Sequence, residues 1–164
     1  MKTVCFYEKK EPGFAGAVAA RGVLQKIILA GNDKKMFESR VIKEFPDAVF
    51  IKGSVPPRGF KAPVLNKERI TCFMQRVFDE ILLIPRGAPA TYGYIAEKLG
   101  DRNKARAVGN ALSKNPFPII YPCHRIVSAG KRGGGFSGGM KWKEYLLKLD
   151  KEKGRNYGGK KKNG

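Results

Sequence analysis

The chain has 164 residues, 42% of them hydrophobic, enough to bury a core as one large domain or two small ones. Lysine and arginine number 33 against 14 acids, a net charge of +19 that makes a compact molecule repel itself unless a polyanion is its partner, and nucleic acid leads that class. An anionic membrane surface could also attract such a charge, but no apolar run is long enough to span a bilayer, the N-terminus turns polar at Glu8, and three scattered cysteines without a CxxC pair read as reduced thiols, so a cytoplasmic protein is expected rather than a membrane-spanning or secreted disulfide one.

Residues 1–62 read as a small mixed α/β domain ending in a linker. The runs Val4 to Tyr7 and Gly22 to Leu29 predict strands joined by turns, Lys34 to Phe45 a helix, and Val49 to Ile51 another strand. Pro56, Pro57 and Gly59 then break the pattern, and the Pro/Gly-rich segment runs to Pro63.

From residue 63 to 152 the periodicity is helical. Ile70, Phe73, Met74, Val77, Phe78 and Ile81 recur at steps that place them on one buried helix face, ending before Pro85. Tyr92, Ile95, Ala96 and Leu99 repeat the spacing in a shorter helix closed by Gly100. Ala105, Val108, Ala111 and Leu112 repeat it again after the tight connection Asp101-Arg102-Asn103. Two short helices joined through a glycine turn outline a helix-turn-helix. Arg106, Asn110, Ser113 and Lys114 share the outer side of its second helix. A solvated face alone explains such a stripe, but the small Gly109 beside it lets the backbone approach another molecule, and DNA contact is expected there.

Asn115-Pro116-Phe117-Pro118 cannot continue the helix and leads through Ile119-Ile120-Tyr121 to Pro122-Cys123-His124-Arg125. His124 is the only histidine in the chain, so any Cys/His chemistry uses it. A free thiol ionises near ~8.5 and only its thiolate is a good nucleophile, which makes an imidazole and the cationic Arg125 the activating neighbours. The bland reading is a buried cysteine beside a surface histidine. A zinc site would need all three cysteines to converge on His124, and neither a metal nor a cofactor is expected. The glycine-dense loop around Phe136 and Ser137 lacks a lysine–serine ending and reads as a wall over a pocket rather than a nucleotide cradle. Trp142, Tyr145, Leu146 and Leu149 mark a last amphipathic helix. A basic stretch from Lys151 follows, with disorder expected over 153–164.

Thr91-Tyr92-Gly93, Arg106-Ala107-Val108-Gly109, Asn115-Pro116-Phe117-Pro118 and Pro122-Cys123-His124-Arg125-Ile126-Val127 together resemble the O6-alkylguanine-DNA alkyltransferase family, in its order and spacing, over residues 68 to 150. The resemblance implies an α/β (α+β) fold: a ribonuclease-H-like N-terminal domain, then a mainly helical domain with the helix-turn-helix. It implies a monomer without cofactor that flips O6-alkylguanine out of double-stranded DNA and transfers the alkyl group irreversibly to Cys123. By the same resemblance His124 first removes the thiol proton through a water. The acidic partner of that histidine, usually glutamate, is here Asp150, one methylene shorter, or else Glu152. Asn115 braces the turn before the active-site segment, and Tyr92 assists rotation of the lesion and bonds the extruded guanine. Arg106 fills the gap left in the base stack, and Ser137 closes over the base; Phe136 stands where some members carry tyrosine. Thr91, Tyr92, Gly93, Arg106, Gly109, Asn110, Lys114, Arg125 and Ser137 make up the expected DNA-binding set.

Two other readings compete. A cysteine hydrolase needs an acyl-stabilising site and a histidine facing the thiol, whereas neighbours in an extended segment point to opposite sides. A lesion-binding helix-turn-helix protein without transfer chemistry is the second, although in such proteins another residue, commonly tryptophan, takes the place of Cys123.

Overall fold

The structure is a computed structural model and describes residues 3–53, 64–130 and 135–158. Its fold is mixed α+β. The expected linker, Pro56 to Pro63, lies outside the described residues.

Strands β1 (Val4–Lys10), β2 (Gly13–Ala20) and β3 (Val23–Ala30) form an antiparallel meander. Arg21 and Gly22, with φ of 54° and 76°, make the two-residue turn between β2 and β3, a conformation whose twist matches the strands it joins. Strand β4 (Val49–Lys52) adds parallel to β1, and β5 (Val64–Leu65) parallel to β3, giving the order β4-β1-β2-β3-β5.

Helix α1 (Lys34–Glu44) is capped by Asp33, whose carboxylate accepts from Met36 N, and buries Phe37 and Val41 on one sheet face against Cys5, Phe14, Val18 and Ile28. Strand β2 is not predicted by the sequence pattern. Its GFAGAVAA run is buried on both faces, which removes the polar/apolar alternation, and alanine and glycine have little strand preference of their own. Gly16 shows why these residues are small: a Cβ there would lie 2.6 Å from the Phe37 ring.

The opposite sheet face, Ala15, Ala17, Leu24, Ile27 and Leu29, joins the apolar cluster of the helical segment. Helix α2 (Cys72–Leu82), capped by Thr71, contributes Met74, Val77, Phe78 and Ile81, each worth roughly 1.5–3 kcal/mol when buried. A short parallel pair, β6 (Ala90–Thr91) and β7 (Ile126–Val127), ties the start of helix α3 (Tyr92–Lys98) to the segment after the cysteine. Gly100, at φ 94°, closes α3. The polar connection then forms a 3-10 turn, Arg102–Lys104, before helix α4 (Ala105–Ser113). Two hydrogen bonds stitch sheet to helices: Ile27 N donates to Pro116 O at 2.8 Å, and Trp142 Nε1 to Ala30 O at 2.7 Å.

The last helix, α5, spans Met140–Gly158. Over 153–158 a helix therefore stands where disorder is expected. Past Lys153 come Gly154, Arg155, Asn156, Tyr157 and Gly158, mostly weak helix formers, and the helix continues over them because adding residues to an existing helix avoids the cost of nucleation. Residues 159–164 lie outside the described residues. No helix among the described residues is long and apolar enough to cross a membrane.

Candidate functional site

Cys123 sits at the start of a 3-10 turn, Cys123–Arg125, set by Pro122. Cys123 N donates to Tyr121 O at 2.7 Å, and Arg125 N to Pro122 O at 3.0 Å. The segment is therefore not extended, contrary to expectation. Proline and these tight bonds fix a turn with three residues per revolution, so the argument that neighbours must face opposite ways does not apply to Cys123 and His124.

Asn115 is buried and fully used: its amide nitrogen lies 2.9 Å from Tyr121 O and 3.1 Å from Cys123 Sγ, while its carbonyl accepts from Phe117 N at 2.9 Å. One side chain thus holds both ends of the loop from Phe117 to Tyr121 and the sulfur. Ile119, at φ 79°, makes the reversal between Phe117 and Tyr121 in a conformation that a β-branched residue rarely adopts.

Behind the thiol lies a charge cluster. Asp150 Oδ2 is 3.2 Å from His124 Nε2 and 2.6 Å from Arg125 Nε, and Arg86 approaches Oδ1 at 4.0 Å. Asp150 reaches the histidine despite its shorter side chain, whereas Glu152 is exposed. Because a carboxylate only accepts, Nε2 carries the imidazole proton; Nδ1 is buried with no hydrogen-bond partner among the described residues.

Burial pushes the His124 imidazole down. Asp150 pulls it back, Arg125 and Lys143 push it down further, and the net shift is below 6.5. Burial alone would raise the Asp150 carboxyl, but hydrogen bonds and charge from Arg125, then from His124, outweigh it and hold the group below 3.8.

Arg125 departs from expectation. Its guanidinium is spent on Asp150 and, at 2.9 Å, on Ile84 O, with the side chain only 13% exposed, so it belongs to the cluster rather than to a DNA-facing surface. The pairing wins because it satisfies the fork of a nearly buried cation against a nearly buried carboxylate.

Lys143 is a site residue that the sequence motifs do not reveal. It is 1% exposed in the first turn of α5, with Nζ 6.0 Å from the centre of the Tyr92 ring. Burial lowers its ammonium and a Cys123 thiolate would raise it; the net direction is down. The Cys123 thiol itself is pushed up by burial and pulled back by Asn115, by nearby backbone N–H groups and by Lys143, and ends above 9.0. Tyr92 is raised by burial and then by Cys123, which keeps its hydroxyl protonated. A signal for Lys143 exists: it shares one helix stripe with Leu146 and Asp150, at steps of three and four.

Cys123 and Tyr92 open onto a pocket of about 530 Å³, whose walls include Arg106, Gly109 and Asn110 of α4 and Gly135, Phe136 and Ser137 of the glycine-dense loop. Arg106, Asn110 and Lys114 are exposed along α4. Gly109 faces the Tyr92 ring, and a Cβ there would make ordinary contact at 3.8 Å, so the protein's own packing does not demand glycine. The Thr91 hydroxyl caps α3 by accepting from Tyr94 N at 3.1 Å, with Gly93 in the first turn. No group of three or more potential metal ligands occurs among the described residues. The arrangement offers a buried sulfur nucleophile, a neutral imidazole oriented by a carboxylate, a phenol and a pocket beside a helix that carries an exposed arginine.

The family model described as the DNA binding domain of 6-O-methylguanine DNA methyltransferase matches residues 72–152. A methylated-DNA–protein-cysteine methyltransferase from Methanothermobacter thermautotrophicus is 35% identical over 134 residues, covering 79% of this chain and 74% of that protein. The Mycobacterium leprae protein of the same name is 48% identical over 81 residues, about half of each chain. Among solved structures, the O6-methylguanine methyltransferase of Mycobacterium tuberculosis aligns over 92% of this chain and 93% of its own, with a TM-score of 0.68 and 28% identity. The O6-methylguanine-DNA methyltransferase of Pyrococcus kodakaraensis aligns over 89% and 98%, with a TM-score of 0.69 and 27% identity.

Proposed function

Because this chain belongs to the methylated-DNA–protein-cysteine methyltransferase family, we propose that it repairs O6-alkylguanine in double-stranded DNA by direct reversal, taking the alkyl group onto Cys123 once per molecule. The observation that carries this reading is the buried Cys123 sulfur, held by Asn115 at 3.1 Å and opening onto a pocket lined in part by Phe136 and Ser137.

The geometry supports the following chemistry. Asp150 fixes the His124 tautomer, so the free lone pair on Nδ1 takes the thiol proton through one intervening water. Lys143 offsets the charge of the thiolate that remains. Sulfur attacks the alkyl carbon, the carbon–O6 bond breaks, and the electron pair passes to guanine, which Tyr92 protonates. A thioether has no easy hydrolytic exit, so the protein is consumed.

A base stacked in a duplex cannot reach a buried thiol. The nucleotide must be extruded, with Arg106 occupying the gap. In this reading α3 and α4 act as a helix-turn-helix with α4 in the groove. Strands β1 to β4 with α1 make up a ribonuclease-H-like domain over residues 1–62, and the catalytic domain over 63–152 adds β5 to the edge of its sheet. Thr91, Gly93, Gly109, Asn110, Lys114 and Ser137 complete the contact surface. The protein works as a monomer in the cytoplasm, in keeping with its free cysteines.

The test is stoichiometry. Duplex DNA bearing O6-methylguanine, titrated with protein, is expected to be repaired to a plateau of one lesion per molecule; multiple turnovers would refute the reading. Arg106→Ala should slow repair of the duplex more than reaction with free O6-benzylguanine, and equal losses would remove the stack-filling role.

A further inference from the structure

Beside the base pocket lies a second groove, of about 270 Å³, between the N-terminal sheet unit and the end of α4. Its polar lining includes Lys26, Arg40, Lys43, Glu44, Lys114 and Ser137. Glu44 is already taken, hydrogen-bonded by Lys26 and paired with Arg69 at 3.3 Å. Arg40 Nη1 donates to Leu29 O at 3.2 Å and to Ser137 O at 3.4 Å, neutral acceptors that orient the guanidinium without cancelling its charge. Lys43 and Lys114 are exposed, and among the described residues neither has an ion-pair partner. Three positive charges from two distant parts of the chain therefore line one groove with no counter-charge left over.

Ser113 and Ser137 line this groove and the base pocket alike. A strand whose base enters the pocket must carry its backbone over that shared rim. We propose that the groove is a phosphodiester site for the lesion-bearing DNA, in which Lys43 and Arg40 of α1 clamp, together with Lys114, a phosphate flanking the extruded nucleotide. The N-terminal unit then contributes to DNA binding directly, not only as a support for the sheet. The proposal rests on the reading that α4 lies on duplex DNA.

Lys43 is the residue to change, because it is exposed and touches neither the base pocket nor the loop. Removing one lysine–phosphate interaction should flatten the slope of log affinity against log salt by about 0.9 and weaken duplex binding roughly 5- to 10-fold at about 0.1 M salt. Lys43→Gln is expected to show both effects and Lys43→Glu larger ones, while Lys43→Arg keeps the wild-type slope and reaction with free O6-benzylguanine is unchanged in all three. Wild-type slope and affinity in both Lys43→Gln and Lys43→Glu would overturn the proposal. So would saturable binding of inorganic phosphate that depends on Lys43 without any change in the duplex slope, since the groove would then serve a free anion. Failure of the wild-type protein to bind duplex at all would instead refute the underlying reading of α4.

Discussion

His124 Nε2 and Asp150 Oδ2 stand 3.2 Å apart, and the same carboxylate oxygen is 2.6 Å from Arg125 Nε. One carboxylate thus does two things: it selects the histidine tautomer and neutralises a guanidinium that has little access to solvent. The shorter aspartate suffices because the 3-10 turn presents His124 and Arg125 to the same stretch of α5.

Asp150→Ala should therefore be costly to the fold. Removing one partner of a nearly buried pair strands the other charge, and a loss of about 3–5 kcal/mol is expected in urea denaturation. Asp150→Asn should fold better yet slow alkyl transfer on the order of a hundredfold, because the histidine is no longer held in the base-competent tautomer. An Asp150→Asn rate equal to wild type would contradict the role given to Nδ1.

Stability against pH should fall in two stages. The His124 value is lowered on folding, so below 6.5 the unfolded chain binds more protons and stability drops, while above 6.5 this residue contributes no slope. The Asp150 value is lowered too; its contribution is present above 3.8 and is lost as pH falls through the still lower folded value. Denaturation midpoints measured from about pH 8 to about pH 3 should be flat, then decline below 6.5, then decline again below 3.8, with the last stage missing in Asp150→Asn. A midpoint that rises on acidification would contradict both directions.

Lys143→Met removes the cation that offsets the Cys123 thiolate. The transfer rate at neutral pH should fall on the order of tenfold, and its alkaline limb should move to higher pH. An unmoved pH profile would leave Lys143 a packing residue.

Gly109→Ala separates function from stability. Alanine is favoured over glycine inside a helix by roughly 0.5–1 kcal/mol, and the site has room for a Cβ at 3.8 Å from the Tyr92 ring. Melting temperature should rise while repair of duplex DNA weakens, because the added methyl projects into the pocket wall. A more stable protein with undiminished repair would remove Gly109 from the contact surface.

How much of the fold and site is legible in the sequence depends on the range of the interaction. The α2 stripe and the two short helices α3 and α4 show in the spacing of Met74, Val77, Ile95 and Val108, since helical burial is a local, periodic signal. Strand β2 does not show, because burial on both faces erases its period. Cys123 and His124 stand out through the uniqueness of the histidine. The cluster behind them is different: Arg125 meets Asp150 across 25 positions, and Lys143 is buried against Tyr92 of another helix. No local pattern decides whether an arginine beside a nucleophile faces DNA or a carboxylate. For Lys143, a charged residue sharing a stripe with Leu146 and Asp150 is the available clue.

Cys123 is, on this account, the sole and final acceptor of the alkyl group. Burial pushes the Cys5 thiol up to about 12, so Cys5 stays protonated and unreactive, whereas Cys72 is exposed and serves as an internal control. Intact mass and peptide mapping after reaction with duplex DNA bearing O6-methylguanine should find one added methyl, on the peptide containing Cys123, and none in Cys123→Ala. A methyl on Cys5 or Cys72, or repair that leaves Cys123 unmodified, would contradict the account.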